Sequence, residues 1–581
     1  MIYKLVENSK NDINNIQDTI FNNRGIEDIE AFLNVGVHDC ISYDLLDNID
    51  KAVKCLERHL EQSNNIHIVV DSDVDGYTSA AMLYQYLTKI GTDAIVTYSI
   101  HTGKQHGLSD DITIPGDTHL IIIPDAGSSD YEQHKAYSDK GVDIIVLDHH
   151  IATHYSEHAI VVNNQLSSEY ENKALSGAGV TYKFLQALDD ALWLSDADTY
   201  LDLVAIANIG DVMDSRSLET RHYMMAGLAQ INSEFILALR DKVQDRMGDL
   251  NIVGVAFYVV PLINAMIRVG TMEQKELMFK AMCDMYEEFD YTKRDKSVIK
   301  ETIYERAARE CTNAKSRQDT KKNKITAQAC KDIEASGLNN DKIIMYNADD
   351  VDIGGLTGLV CNNLADKYQR PAVVYRTRTQ TIDGKEVTLY EGSARNYSGF
   401  DLPSLRDFLL NTNLFDYCAG HHNAFGIGFE PSNLSSIVQS CNTAFAEIST
   451  EYAYEVDFIV PFEEIEDDVF YKLDKMKHLY GQRVEAPLFA ITDIDILMKN
   501  VDVRRAKTTD NVTINLKADG VEFVKFRVKE DDPVLRTIED WEFDAQEATL
   551  HVVGRPGISS FNGVKTIQVI VSDWEIISTI E

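Results

Sequence analysis

A chain of 581 residues leaves room for three or four domains at roughly 100–200 residues each. Its 44% apolar content excludes a disordered tail, and its formal charge of -38 excludes a surface that is basic throughout. A nucleic-acid substrate would therefore need a local basic groove among acidic faces, or would have to be short and held by a few contacts.

In chain order, the first sixty or so residues read as helices, one ending near 32–36 and one over 49–62. Residues 66–70, Ile-His-Ile-Val-Val, form a β-branched run of the kind buried in parallel sheets. It ends at Asp71, and helical spacing resumes over 77–90. Further strands are predicted at 94–98, 119–123, 142–147 and 159–162, of which the second and third of these end at Pro124-Asp125 and Asp148-His149-His150. Strands alternating with helices indicate an open α/β sheet, whose ligands bind outside the carboxyl ends of the strands. Three of the predicted strands carry polar clusters at that end.

Residues 218–335 read as helical and charged, and the basic stretch 315–324 reads as a solvated helix end or loop. A second α/β unit starts near Asp341, with strands at 343–346 and 372–375 and loops at Ser393-Ala394-Arg395 and Gly420-His421-His422. Strands dominate from Tyr454, with turns at Asp519-Gly520 and Asn562-Gly563, as in a small all-β domain, plausibly a barrel. Eight cysteines without any Cys-x-x-Cys suggest buried hydrophobes in a reducing compartment. No run of about 18 uninterrupted apolar residues marks a membrane helix, and residues 1–8 lack a secretion signal's apolar core. The expected location is the cytoplasm, with no membrane partner.

Asp71, Asp73 and Asp75 crowd three carboxylates onto one strand end, which requires a cation among them. A calcium loop would need Glu six residues after Gly76; Met82 stands there. Asp148-His149-His150 adds mixed imidazole and carboxylate donors, which suit manganese and, less exclusively, magnesium, zinc or iron. Asp125 and Asp211 could complete a pair of ions at the ~3.5–4 Å spacing of two-metal hydrolases.

These segments resemble the DHH phosphoesterase superfamily, and specifically the RecJ single-stranded-DNA exonucleases. The resemblance rests on Asp71–Ser79 in the first loop, Pro124–Asp130, Val146–His150, Ser176–Val180 and Ala205–Met213. It continues in Gly392–Arg395 and Ala419–Gly426. It implies metal ligands at Asp73, Asp75, Asp125, His149 and Asp211, supporting roles for Asp71 and Asp148, and a transition-state stabiliser or general acid at His150. It implies substrate contacts at His106, Asn264, Arg268, Ser393, Arg395 and His421. Two segments depart from the family: Leu262 replaces an arginine, and Asp352-Ile353-Gly354-Gly355 replaces Trp-His-Pro-Gly.

The fold implied is α/β: a parallel-sheet DHH domain and a second α/β DHH-associated domain joined by a helical connector, with a C-terminal all-β OB-like domain. The boundaries expected are an N-terminal helical segment (1–64), the DHH domain (65–215), the connector (216–338), the DHH-associated substrate-binding domain (339–452) and the OB-like domain (453–581). In the last, Arg504, Arg505, Lys507, Lys525 and Arg527 offer charge and Phe523, Phe526 and Phe561 offer rings, most of them expected in the core.

The expected activity is 5′-to-3′ hydrolysis of single-stranded DNA with two divalent cations, manganese first and magnesium second. It would serve recombination, repair or replication, with a single-strand-binding protein or a helicase as candidate partner. Hydrolysis of short oligonucleotides or cyclic dinucleotides is the alternative that the negative charge favours. An inactive replication scaffold is the alternative of another class, disfavoured because no ligand position is missing.

Overall fold

The computed structural model describes residues 1–580 except 92, 383–384, 449–451, 507–511, 530–531, 541–546 and 562–563. Lys507, the ring of Phe561 and the Asn562-Gly563 turn lie outside the described residues. The chain divides into two compact units, residues 36–451 and residues 1–35 with 452–581.

The larger unit is built first around a five-stranded parallel sheet. Its strands are β1 (Ile66–Val70), β2 (Val96–Ile100), β3 (Leu120–Pro124), β4 (Asp143–Asp148) and β5 (Ile160–Asn163), in the order β2-β1-β3-β4-β5. β1 and β3 are buried along their whole length, as expected of strands covered on both faces. The helices α1 (Val74–Lys89), α2 (Gly177–Leu192) and α3 (Leu201–Gly210) cover the sheet and share one apolar core with it.

His67 on β1 is 1% exposed, hydrogen-bonded to Thr97 Oγ1 at 2.8 Å and Ser99 Oγ at 2.9 Å, and burial pushes its imidazole down to about 4. Folding thus favours the neutral ring: its contribution is full above the unfolded value near 6.5 and is lost as pH falls towards 4. We expect wild type to lose about 3 kcal/mol more than His67→Gln between about pH 7.5 and 4, read by urea unfolding at each pH. Parallel curves would show that the ring is not held neutral.

Two further helices follow, α4 (Val260–Val269) and the long α5 (Ile303–Ser336). A Thr302–Glu305 capping box starts α5, and Gly337 ends it in the left-handed region at φ 75°. The connecting region is not wholly helical, because Glu288–Thr292 and Val298–Thr302 form an exposed antiparallel hairpin. Ile252–Val269 is helical throughout and, by length and composition alone, apolar enough to cross a membrane, although it is not an uninterrupted apolar run. Of this run, 56% is buried inside the unit, and Pro261, Asn264 and Arg268 interrupt it.

The second sheet contains β6 (Ile344–Asn347), β7 (Ala372–Ile382), β8 (Lys385–Arg395), β9 (Tyr417–His421) and β10 (Ala424–Phe429), in the order β9-β10-β8-β7-β6. Only β6 and β7 run parallel. Helix α6 (Thr357–Tyr368) packs on one face.

The smaller unit is built on a mixed seven-stranded sheet. Its hairpin between Val512–Ala518 and Val521–Val528 turns at Asp519-Gly520, both with positive φ, as a two-residue turn requires. The N-terminal stretch is not helical alone: Ile2–Leu5 pairs in parallel with Ala453–Val456, and Arg24 grips buried Asp457 with two hydrogen bonds of 2.7 and 2.9 Å. Local periodicity could not reveal this pairing, since its partners are about 450 residues apart.

Candidate metal centre

β1, β3 and β4 deliver their polar ends to one place. Asp73 caps α1, accepting from the Gly76 N–H at 3.1 Å. Asp75, in the first turn, accepts from the Gly177 and Ala178 N–H groups at 2.7 and 2.8 Å, so the positive end of α2 stabilises its charge. Glycine is required at the two closest approaches. A Cβ on Gly76 would stand 2.5 Å from Asp71 Cβ, and one on Gly177 2.4 Å from Asp125 Oδ1.

Asp125 follows β3 in the left-handed region, at φ 68°, and both its carboxylate oxygens are buried without a hydrogen-bond partner. His149 Nε2 is also buried and unpartnered, 3.3 Å from Asp125, 3.5 Å from Asp211 and 3.6 Å from Asp75. Buried polar atoms are seldom left unpaired, so these convergent donors fit a metal ion. Two neighbouring triads, Asp75–His149–Asp211 and Asp71–Asp73–Asp125, each place their donor atoms within 4.8 Å of one another. Asp71 lies within the second triad as well.

The charges agree with this fit. Burial first, and then Asp75, Asp73, Asp71 and Asp211, push the Asp125 carboxyl far above its ordinary range; burial, Asp75 and Asp73 raise Asp211 to about 8. Burial lowers His149, which favours the neutral, ligating imidazole.

Asp148 is buried but held low, because it accepts from the backbone N–H groups of Ser128, His149 and His150 and from His150 Nδ1 at 2.8 Å. Its partner His150 opens on solvent. Burial alone would lower that imidazole, but Asp148, Asp211 and Asp73 raise it to about 9. Asp71 takes hydrogen bonds from His106 Nδ1 at 2.6 Å and from Gly107 N–H at 3.1 Å, and the first of these raises His106.

A cation cluster faces these carboxylates. Arg268 on α4 feels both Asp73 and Arg395, while Lys104 is brought down to about 8 by burial, Arg268 and Arg395. Arg395 ends β8, and a Cβ on Gly358 at the start of α6 would meet its Nη2 at 2.5 Å and Ser393 Oγ at 3.7 Å. Among the described residues, none of Lys104, Arg268 and Arg395 has a carboxylate within ion-pair distance. Lys104 was missed by sequence reasoning, its only signal being its place two residues before His106.

Asn264 lies half-buried on α4, one turn from Arg268. Among the described residues no side-chain hydrogen bond brings in His421: it is exposed at the end of β9, opposite Ala424. In the smaller unit, Phe523 is buried and Phe526 is 55% exposed. Arg504 pairs with Asp502, Arg505 with Glu539, and Lys525 with Asp532 and Asp573.

Comparison with known proteins agrees with this architecture. Residues 65–208 match the DHH family, N-terminal domain, and residues 456–573 match the RecJ OB domain. The Bacillus subtilis protein named "Putative SPbeta prophage-derived single-strand DNA-specific exonuclease YorK" is 38% identical over 566 residues, covering 97% of this chain and 96% of the relative. The single-stranded-DNA-specific exonuclease RecJ of Bacillus subtilis is 27% identical, covering 76% of this chain and 53% of its own length. The crystal structure of RecJ in complex with Mn2+ from Thermus thermophilus shares the fold, with a TM-score of 0.70 at 19% identity over 99% of this chain and 78% of that one. The chain belongs to the RecJ-like single-stranded-DNA exonuclease family of the DHH phosphoesterases.

Proposed function

We propose that this chain is a metal-dependent exonuclease that hydrolyses single-stranded DNA from its 5′ end, in the cytoplasm, during recombination, repair or replication. Asp73, Asp75, Asp125, His149 and Asp211 hold two divalent cations, manganese by preference, because mixed imidazole and carboxylate donors suit it. Bound there, the cations supply an activated water and neutralise the phosphate. Asp71 and Asp148 position their histidine partners, His106 and His150. His150, charged at neutral pH and tied through Nδ1 to Asp148, has Nε2 left to donate to the scissile phosphate. Ser393, Arg395, Arg268 and Lys104 receive backbone or terminal phosphate.

The observation that carries this reading is the meeting of partnerless buried metal donors with unpaired cations, in a chain of net charge -38. It supports a local basic site, of the kind a polynucleotide substrate demands, within an acidic chain. Incubating 5′- and 3′-labelled single strands and duplexes with manganese tests it. Mononucleotides should be released progressively from the 5′ end of single strands, whereas cutting confined to duplex or to internal sites would overturn it.

A further inference from the structure

We propose that Phe257 is a base-stacking platform for the single strand as it leaves the metal centre, an inference that rests on the single-strand reading above. The turn Val255–Val259, which precedes α4, is a wide π-turn, a local geometry frequent at functional sites. One face of the run from Ile252 to Val269 is core: Ile252, Val255, Val259, Val260, Ile263 and Met266 are all buried. The other face is a stripe at spacings of four, four, three and four: Val253, Phe257, Pro261, Asn264 and Arg268. Phe257 is 72% exposed and Val253 38%, with Tyr258 beside them at 36%.

A single exposed apolar side chain needs no explanation, but this stripe is continuous with the metal centre. Its far end is Arg268, within the field of Asp73 and Arg395. The helix that carries it packs on α3 through its core face, since a Cβ on Gly210, the residue before Asp211, would lie 3.7 Å from Val260 Cγ2. No carboxylate occurs from 252 to 269, in a chain with 93 acidic residues, so nothing on this helix repels a polyanion. Eleven residues separate Phe257 from Arg268. That is about 16 Å along a helix, or roughly two to five nucleotides from the phosphate at Arg268. An exposed ring at that distance suits a base of any sequence, as a nuclease without sequence preference requires.

The test is steady-state digestion of 5′-phosphorylated single strands that carry one abasic site, moved stepwise from the second to the twelfth nucleotide. For wild type, KM should rise only when the missing base lies between about the third and sixth nucleotide. Phe257→Ala should raise KM on the intact strand by about 5- to 100-fold with kcat unchanged, and should erase the position-dependent penalty. Phe257→Trp should retain both. An unchanged KM for Phe257→Ala overturns the platform, as does an equal loss in kcat for the alanine and tryptophan variants, which would mark a structural role. A change of oligomeric state with DNA kinetics intact would also overturn it, by assigning the face to a second copy. A wild type that degrades no intact single strand overturns the single-strand reading itself, and is distinct from all of these.

Discussion

Asp125→Asn is expected to lower exonuclease turnover by ~10³-fold or more and, in the same protein, to raise the melting temperature of the metal-free form. Both effects come from one carboxylate. Asp125 is buried, its two oxygens have no donor, and four other aspartates surround it. Without a cation it is destabilising, because burial and the neighbouring aspartates suppress an ionisation that the unfolded chain enjoys at neutral pH. With cations it contributes to charge stabilisation worth several kcal/mol in the transition state, which at about 1.36 kcal/mol per decade gives the loss expected. Calorimetry in EDTA and in excess manganese separates the two. Wild type should gain strongly on adding manganese, and Asp125→Asn should start higher and gain little. An asparagine variant that keeps full activity would remove Asp125 from the centre.

The same electrostatics sets a direction with pH. Asp211 is raised to about 8 in the metal-free fold, above its unfolded value near 3.8. A raised carboxyl binds its proton more tightly when folded, so its contribution is full below about 4 and is lost as pH rises towards 8. The metal-free difference between wild type and Asp211→Asn therefore widens from about pH 4 to 8. Saturating manganese should cancel that trend, because ligation requires the ionised form.

These carboxylates were legible in the sequence because their signal is local. A buried β-branched run followed at once by Asp, as at Val70-Asp71 or Leu147-Asp148, encodes both the strand and the end that carries chemistry. What could not be read depends on partners far along the chain. Lys104 looks like any loop lysine until Arg268 and Arg395, more than 160 and 290 residues later, come beside it. The hydrogen bond between His106 Nδ1 and Asp71, 35 residues apart, is likewise invisible to a local pattern. The charge of -38 likewise says nothing of position: acids can dominate the total while three cations without an ion-pair partner among the described residues lie close to one another. The hairpin at 288–302 escaped because each strand is only five residues long and set among charged neighbours, although Glu288–Thr292 does alternate polar and apolar residues.

Arg395→Ala should cost about 10- to 100-fold in kcat/KM on a strand with a 5′-phosphate, from the ~1.5–3 kcal/mol that a hydrogen bond to a charged group contributes, and far less on one with a 5′-hydroxyl. Arg395→Lys should rescue only part, because an ammonium cannot reproduce the planar fork that takes two phosphate oxygens. Gly358→Ala tests the same contact from the other side: its Cβ would occupy space 2.5 Å from Nη2 and push the guanidinium out of line. Lys104 adds a pH signature. Held down to about 8, it is a cation at neutral pH and loses its charge as pH rises past that value, so KM for the phosphorylated strand should climb above pH 8. Lys104→Met should start with the higher KM and show no such climb. Equal losses on phosphorylated and hydroxyl ends in Arg395→Ala would assign this arginine to the internal backbone, leaving the terminal phosphate to Lys104 and Arg268.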